Sequence, residues 1–391
     1  MTGIWLPDGD GELTLGPAAD WTPPPAPPRS RVAFAAAHVV ADPLGDNAPG
    51  ASAAVDWDTT LAFRHHLWRQ GLGVADVMDT AQRGMGLDWA ATQELIRRSA
   101  TEARSVGGLL AVGVGTDHLD PASVTSPDEV VDAYLTQLAV AEDAGARVVI
   151  MASRALARVA RSAEDYLDVY RRVLTQASGP VILHWLGEAF DPALRGYWAT
   201  THRDDATVTF LRLCTELPER IDGVKVSLLD ADHEIGLRRA MPPGVRVYTG
   251  DDFHYPELIH GDEHGHSDAL LGILAGIAPV AAQALAALDA GDPARYDALL
   301  APTVPLARHV FTAPTPYYKT GIAFLAWIAG LQPGFTMIGG LQSGRSVVHL
   351  ARTFRLASRA GLLPDPELAV HRMKGLLSVA GIEVNSAAVS A

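Results

Sequence analysis

This chain contains three lysines, Lys225, Lys319 and Lys374, so 28 of its 31 basic residues are arginine. One lysine lies inside Ile221-Asp-Gly-Val-Lys-Val-Ser-Leu-Leu229, with apolar and β-branched residues on both sides. Such a run reads as a buried strand of a parallel sheet, where an ammonium group is costly unless it is paired or neutral. Where a bare positive charge suffices, this sequence uses arginine, which keeps its proton in proteins. A lysine in an apolar pocket, by contrast, can be pushed towards neutrality and attack a carbonyl to form an imine. Lys225 is therefore a candidate Schiff-base nucleophile. The alternative is a structural lysine paired with a strand-end carboxylate such as Asp230.

The elements that must hold this lysine recur along the chain. From Arg31 onward, short Val/Ala/Ile/Leu-rich runs alternate with helical stretches, the pattern of a (β/α)8 TIM barrel. The candidate strands are Val32–Ala37, Val74–Met78, Leu109–Val114, Arg147–Met151, Pro180–His184, Gly223–Ser227 and Val245–Thr249, with an eighth in Leu270–Leu274. Between them lie amphipathic segments such as Pro127–Ala144, with Ser126 as N-cap, and Ala163–Ala177. The expected organisation is α/β: a hairpin and Pro-rich arm over residues 1–30, a barrel over 31–278, and a C-terminal helical domain over 279–391. That last domain holds helices at Pro279–Asp289, Ala294–Val310, Tyr317–Gly330, Ser346–Gly361 and Pro366–Ala380.

In such a barrel the reactive groups stand at the C-terminal ends of the strands and in the loops that follow. The residues so placed are His38, Asp79, Thr80, Ser153, Arg154, His184, Lys225, Ser227, Asp251, Asp252 and His254. We assign Lys225, His184 and Thr80 to catalysis and the remainder to substrate binding. His184 closes the run next to the lysine strand, and an imidazole titrates near neutral pH, which suits an acid/base.

A second cluster, Asp251 to Asp268, packs four histidines and six carboxylates into eighteen residues. Imidazoles and carboxylates are the usual ligands of zinc, manganese or iron, although the spacing matches no tight metal signature. The default reading is a covalent lysine imine with no cofactor. A divalent ion, if bound, would use Asp252, His254, Glu263, His264 and His266.

Bulk properties narrow the class further. The net charge is −14; residues 301–391 hold eight Arg/Lys against three Asp/Glu, or +5, which leaves −19 for residues 1–300. An acidic body argues against nucleic acid or an anionic membrane as partner. The one cysteine, Cys214, excludes an intrachain disulfide and reads as a packing residue in a reducing compartment. The first residues lack a basic segment before an apolar run, and no window is long enough to span a membrane, so a cytoplasmic protein acting on a small molecule is expected.

The order of elements resembles the dihydrodipicolinate synthase and N-acetylneuraminate lyase superfamily over roughly Arg31 to Gly334. Ile221-Asp-Gly-Val-Lys-Val-Ser227 is similar to its G-[IV]-K-[DE]-[ST] strand, Thr249-Gly-Asp-Asp252 to its strand-seven end, and Pro180-Val-Ile-Leu-His184 to its P-[IV]-x-[LI]-Y-N strand. Asp143-Ala-Gly-Ala-Arg-Val-Val149 and Tyr318-Lys319 are weaker points of likeness. His184 stands in place of the family's tyrosine, and the family's G-T-T-G-E loop is present only as Asp79-Thr-Ala-Gln-Arg83. The resemblance implies a divergent branch of class I lyases that form an imine on the strand-six lysine and assemble as dimers or tetramers. Three functions follow: a Schiff-base lyase or aldolase acting on a keto acid, sugar acid or ketose; a metal-dependent sugar isomerase or aldolase; and a non-catalytic sugar-binding barrel.

Overall fold

The structure, a computed structural model, describes residues 2–383. Eight parallel strands close a barrel: β1 (Ala33–Ala36), β2 (Gly73–Asp76), β3 (Leu110–Val114), β4 (Arg147–Ile150), β5 (Val181–Leu186), β6 (Ile221–Ser227), β7 (Arg246–Thr249) and β8 (Asp268–Leu271). Each strand pairs with the next in sequence, and β8 pairs with β1. All eight expected strands are present, with shifted ends. The last begins two residues earlier than its apolar run, because the Asp268 carboxylate accepts from the Val32 amide at 2.7 Å and from Arg246 at 3.1 Å. A polar residue can thus open the strand at no loss of hydrogen bonding. The run also ends early, since Ile273–Gly276 is already helical.

Alternation along the strands divides the core in two. Phe34, Ala36, Ala75, Ala111, Val149, Ile182, Tyr248 and Leu270 fill the lumen, while their sequence neighbours pack outward against the helices. The helices start where the sequence offers caps. Ser126 accepts from the Glu129 amide ahead of Pro127–Asp143, and Ser162 with Asp165 forms a capping box for Ala163–Gln176. Cys214 is fully buried in the helix Arg203–Glu216, as expected of a packing residue.

The C-terminal helices run Ala278–Asp289, Pro293–Leu300, Val304–Val310, Tyr318–Ile328, Val347–Arg359 and Pro366–Val379. The expected single helix at 294–310 is broken at Ala301–Thr303, where Pro302 and Pro305 lack the amides that would continue it. The N-terminal strands Thr2–Leu6 and Gly11–Leu15 pair as a hairpin outside the barrel. This hairpin is built into the helical layer: Ile4, Leu6 and Leu15 are buried, and Asp8 forms a sealed bidentate pair with Arg355 at 2.6 and 2.8 Å. Among the described residues no helix is long and apolar enough to cross a membrane.

Candidate active site

The register of β5 on β6 sets His184 directly beside Lys225, and that of β6 on β7 sets Lys225 beside Tyr248. Paired residues of parallel strands point to the same face, so imidazole and amine share the lumen. Trp185, one residue on, points the other way and packs on Phe210, Trp198 and His233. Ser227, two residues past Lys225, returns to the lumen and its hydroxyl meets His184 Nε2 at 3.1 Å. The other ring nitrogen, Nδ1, is buried without a hydrogen-bond partner.

Lys225 is 7% exposed and has neither a hydrogen-bond nor an ion-pair partner among the described residues. Burial therefore pulls its pKa below the usual lysine range, against the charges of Asp79 and Asp252, which favour the ammonium. Asp230, the carboxylate that a structural lysine would need, instead pairs with Arg203 and caps the helix Ala231–Ala240. Gly250 makes room for the amine: a Cβ there would stand 2.9 Å from Lys225 Cε and closer still to Ser227 Oγ. The strand-seven Thr249-Gly-Asp-Asp252 segment thus needs glycine for close approach.

Two carboxylates flank the amine. Asp252 is 3% exposed, accepts from the Ile273 amide at 2.8 Å, and has its pKa raised by burial. Asp79 follows Val77, a β-branched residue with φ of +47°. That strained conformation is held by the Asp76 carboxylate on the Val77 amide and by Arg83 on its carbonyl, and it directs the Asp79–Ala81 turn over the barrel mouth. Thr80 in that turn shares a 2.7 Å hydrogen bond with Tyr318 Oη, supplied by the C-terminal helical layer. Tyr318 is buried, its hydroxyl pKa is driven up by burial, and it feels the charges of Asp79 and Asp252. It is a site residue that the strand-by-strand reading left out.

Beside this cluster, Asp79, Arg83, Gly84, Thr116, Arg154 and Asp191 are among the residues lining a cavity of about 230 Å³. Arg154 pairs with Asp191 at 2.5 Å there, and Arg83 with Asp117 at 2.7 Å. Other expected residues make local hydrogen bonds. Ser153 caps the helix Arg154–Val159 and meets Thr116 at 2.7 Å. Asp251 accepts from the Phe253 and His254 amides and from His254 Nδ1. His38 is edge-on to Phe63 and bonded to Gln332 at 2.6 Å, with a pKa lowered to about 4 by burial.

The proposed metal ligands do not converge. Asp252 is inside the barrel, His254 is bound to Asp251, and Glu263 and His264 contact each other in an exposed turn. Among the described residues no three His, Cys, Asp or Glu side chains could hold a metal ion together. The residues named for a divalent ion therefore do not fit one.

A closed (β/α)8 barrel with a helical C-terminal region is the architecture of known dihydrodipicolinate synthases. The chain superposes on the enzyme from Aquifex aeolicus with a TM-score of 0.60 at 12% identity, over 91% of this chain and 100% of that one. The Thermotoga maritima enzyme gives 0.60 at 13%, over 90% and 99%. YagE, an E. coli K12 prophage protein of the dihydrodipicolinic acid synthase family solved with pyruvate, gives 0.59 at 16%, over 90% and 99%. The expected fold resemblance is thus found, at 12–16% identity, and it speaks for the fold. The chain itself belongs to the family described as "Protein of unknown function (DUF993)", whose profile matches residues 4–382. No curated protein matches it.

Proposed function

We propose that the protein is a Schiff-base lyase or aldolase that cleaves, condenses or dehydrates a keto acid, sugar acid or ketose through Lys225. The observation that carries this reading is a buried lumen amine, left without an acid partner, in register with a buried imidazole. Structural lysines are paired when buried; a nucleophilic one must reach the neutral form.

The chemistry follows from the geometry. The neutral Nζ adds to the substrate carbonyl, and the resulting carbinolamine loses its oxygen as water to leave an iminium. When a β-hydroxyl gives up its proton, the adjacent carbon–carbon bond breaks and its electron pair moves into the iminium, forming an enamine. Reprotonation and hydrolysis return the product and the amine. His184 is held neutral, because burial and the Lys225 charge push its pKa well below the usual histidine range. A neutral imidazole anchored by Ser227 presents Nδ1 as a free proton acceptor for that hydroxyl. Thr80 and Tyr318 hold a second hydroxyl pair within the same charge cluster, suited to the returning proton. The pyruvate bound by YagE makes keto acids the first compounds to test. The acidic body and single buried cysteine support a cytoplasmic setting, and the homo-oligomeric state rests on the family resemblance.

Enamine formation can be read without knowing the physiological reaction. In deuterated water, the α-protons of an accepted ketone should exchange in the presence of the protein, followed by proton NMR over a panel of keto acids and ketoses. Lys225→Arg should abolish the exchange, since charge is retained while the neutral form is lost. Exchange at an undiminished rate in that variant would sink the imine mechanism.

A further inference from the structure

Lys319, the second of the three lysines, is also buried at this end of the barrel, at 2% exposure, in the first turn of the helix Tyr318–Ile328. Both its burial and its place on the helix are unfavourable for a cation, because the N-terminal end of a helix already carries partial positive charge. An ammonium has three donors. Among the described residues its one hydrogen-bond partner is the thioether of Met85 at 3.1 Å, a weak acceptor, with the Tyr318 ring 5.2 Å away. The charges that act on it come from Asp79, Arg154 and Asp191, all of which line the 230 Å³ cavity.

Met85 stands at the tip of a turn closed by the bridge between Arg83 and Leu87, with glycines on either side at φ of +66° and +125°. Gly84 of that turn lines the cavity, and the Arg154 guanidinium lies 3.5 Å from where its Cβ would be. Asp191 is already neutralised by Arg154, and Asp79 is shared between Lys225 and Lys319.

We propose that Lys319, with Arg154, anchors an oxyanion of the substrate, a carboxylate or phosphate carried away from the carbonyl that Lys225 takes. The anion displaces the Met85 thioether and supplies the strong acceptor that the buried amine lacks. This assignment rests on the lyase reading for the identity of the ligand, but its test does not. Succinate and inorganic phosphate have no ketone or aldehyde carbonyl and cannot form an imine.

Calorimetric titration of the whole chain with each anion should show saturable binding of at least one, and which of the two binds distinguishes a carboxylate from a phosphate subsite. Lys319→Met should weaken it by roughly ten- to hundredfold, the worth of a charge-assisted hydrogen bond in a buried site. Lys374→Met removes the same charge from the surface and should leave binding unchanged. Without anion, Lys319→Met should melt above the wild type, because a buried cation is replaced by an apolar side chain of similar length. Absence of binding by the wild type, unchanged binding in Lys319→Met, or a lowered melting temperature in that variant would overturn the proposal.

Discussion

At the scale of single residues, the candidate site is built from two amines without an ion-pair partner among the described residues and one imidazole whose pKa is pushed down by burial and the Lys225 charge. The rarity of lysine marked Lys225, because a chain that writes arginine almost everywhere signals chemistry where it does not. His184 was singled out by its place at the end of a strand, where the register sets it beside Lys225, but its lowered pKa was not foreseen. An isolated imidazole titrates near neutral pH, whereas here burial and the neighbouring amine keep it neutral. If it accepts the hydroxyl proton as proposed, His184→Ala should slow turnover of a hydroxylated substrate by roughly two to four orders of magnitude while leaving Lys225 able to form the imine. A rate within a few-fold of wild type would move the task to Asp252 or to Tyr318. Tyr318 could not be placed as a site residue from its own surroundings, since its partner Thr80 is 238 residues away. His38, Ser153 and Asp251 show the converse. They are polar residues at strand ends that bond to Gln332, to a helix amide and to two loop amides, although His38 Nδ1 keeps no partner.

At the scale of elements, β5 and β6 could be read as strands because both are largely apolar runs, interrupted by His184 in one and by Asp222, Lys225 and Ser227 in the other. Strand ends were less visible, since they depend on distant side chains such as Asp268 satisfying an edge amide. The helix Ala231–Ala240 carries another buried acid, Glu234, which accepts from Ser267 at 2.7 Å and from Thr249 at 3.0 Å. Burial raises its pKa from 4.5 to about 8, helped by the charge of Asp251. The folded state therefore holds this proton more tightly than the unfolded chain. Its contribution to stability is complete below the unfolded carboxyl range and is lost as pH rises through about 8. Glu234→Gln keeps the shape without the titration, so its melting temperature should gain on the wild type as pH increases from 5 to 8.5. At about 1.4 kcal/mol per unit of pKa displacement and roughly 2 °C per kcal/mol, the gap should reach several degrees. A constant difference across that range would show that Glu234 does not titrate in the fold.

At the scale of the whole molecule, the barrel carries Lys225 and His184 and the helical layer carries Tyr318 and Lys319, so the candidate site draws on both parts. The barrel and its helical appendage could be read from the alternation of runs, and the hairpin from its turn. That the hairpin is locked into the helical layer by Asp8 and Arg355 could not be read, because the two are 347 residues apart. The central claim is that Lys225 forms an imine with a carbonyl substrate. It is tested most directly by borohydride reduction of the protein with pyruvate and a panel of longer keto acids and ketoses, followed by peptide mass mapping. We expect one reduced adduct on the peptide containing Lys225, at wild-type levels in His184→Ala and absent in Lys225→Arg. An adduct confined to Lys319 or Lys374, or no adduct from any compound that undergoes α-proton exchange, would contradict the account.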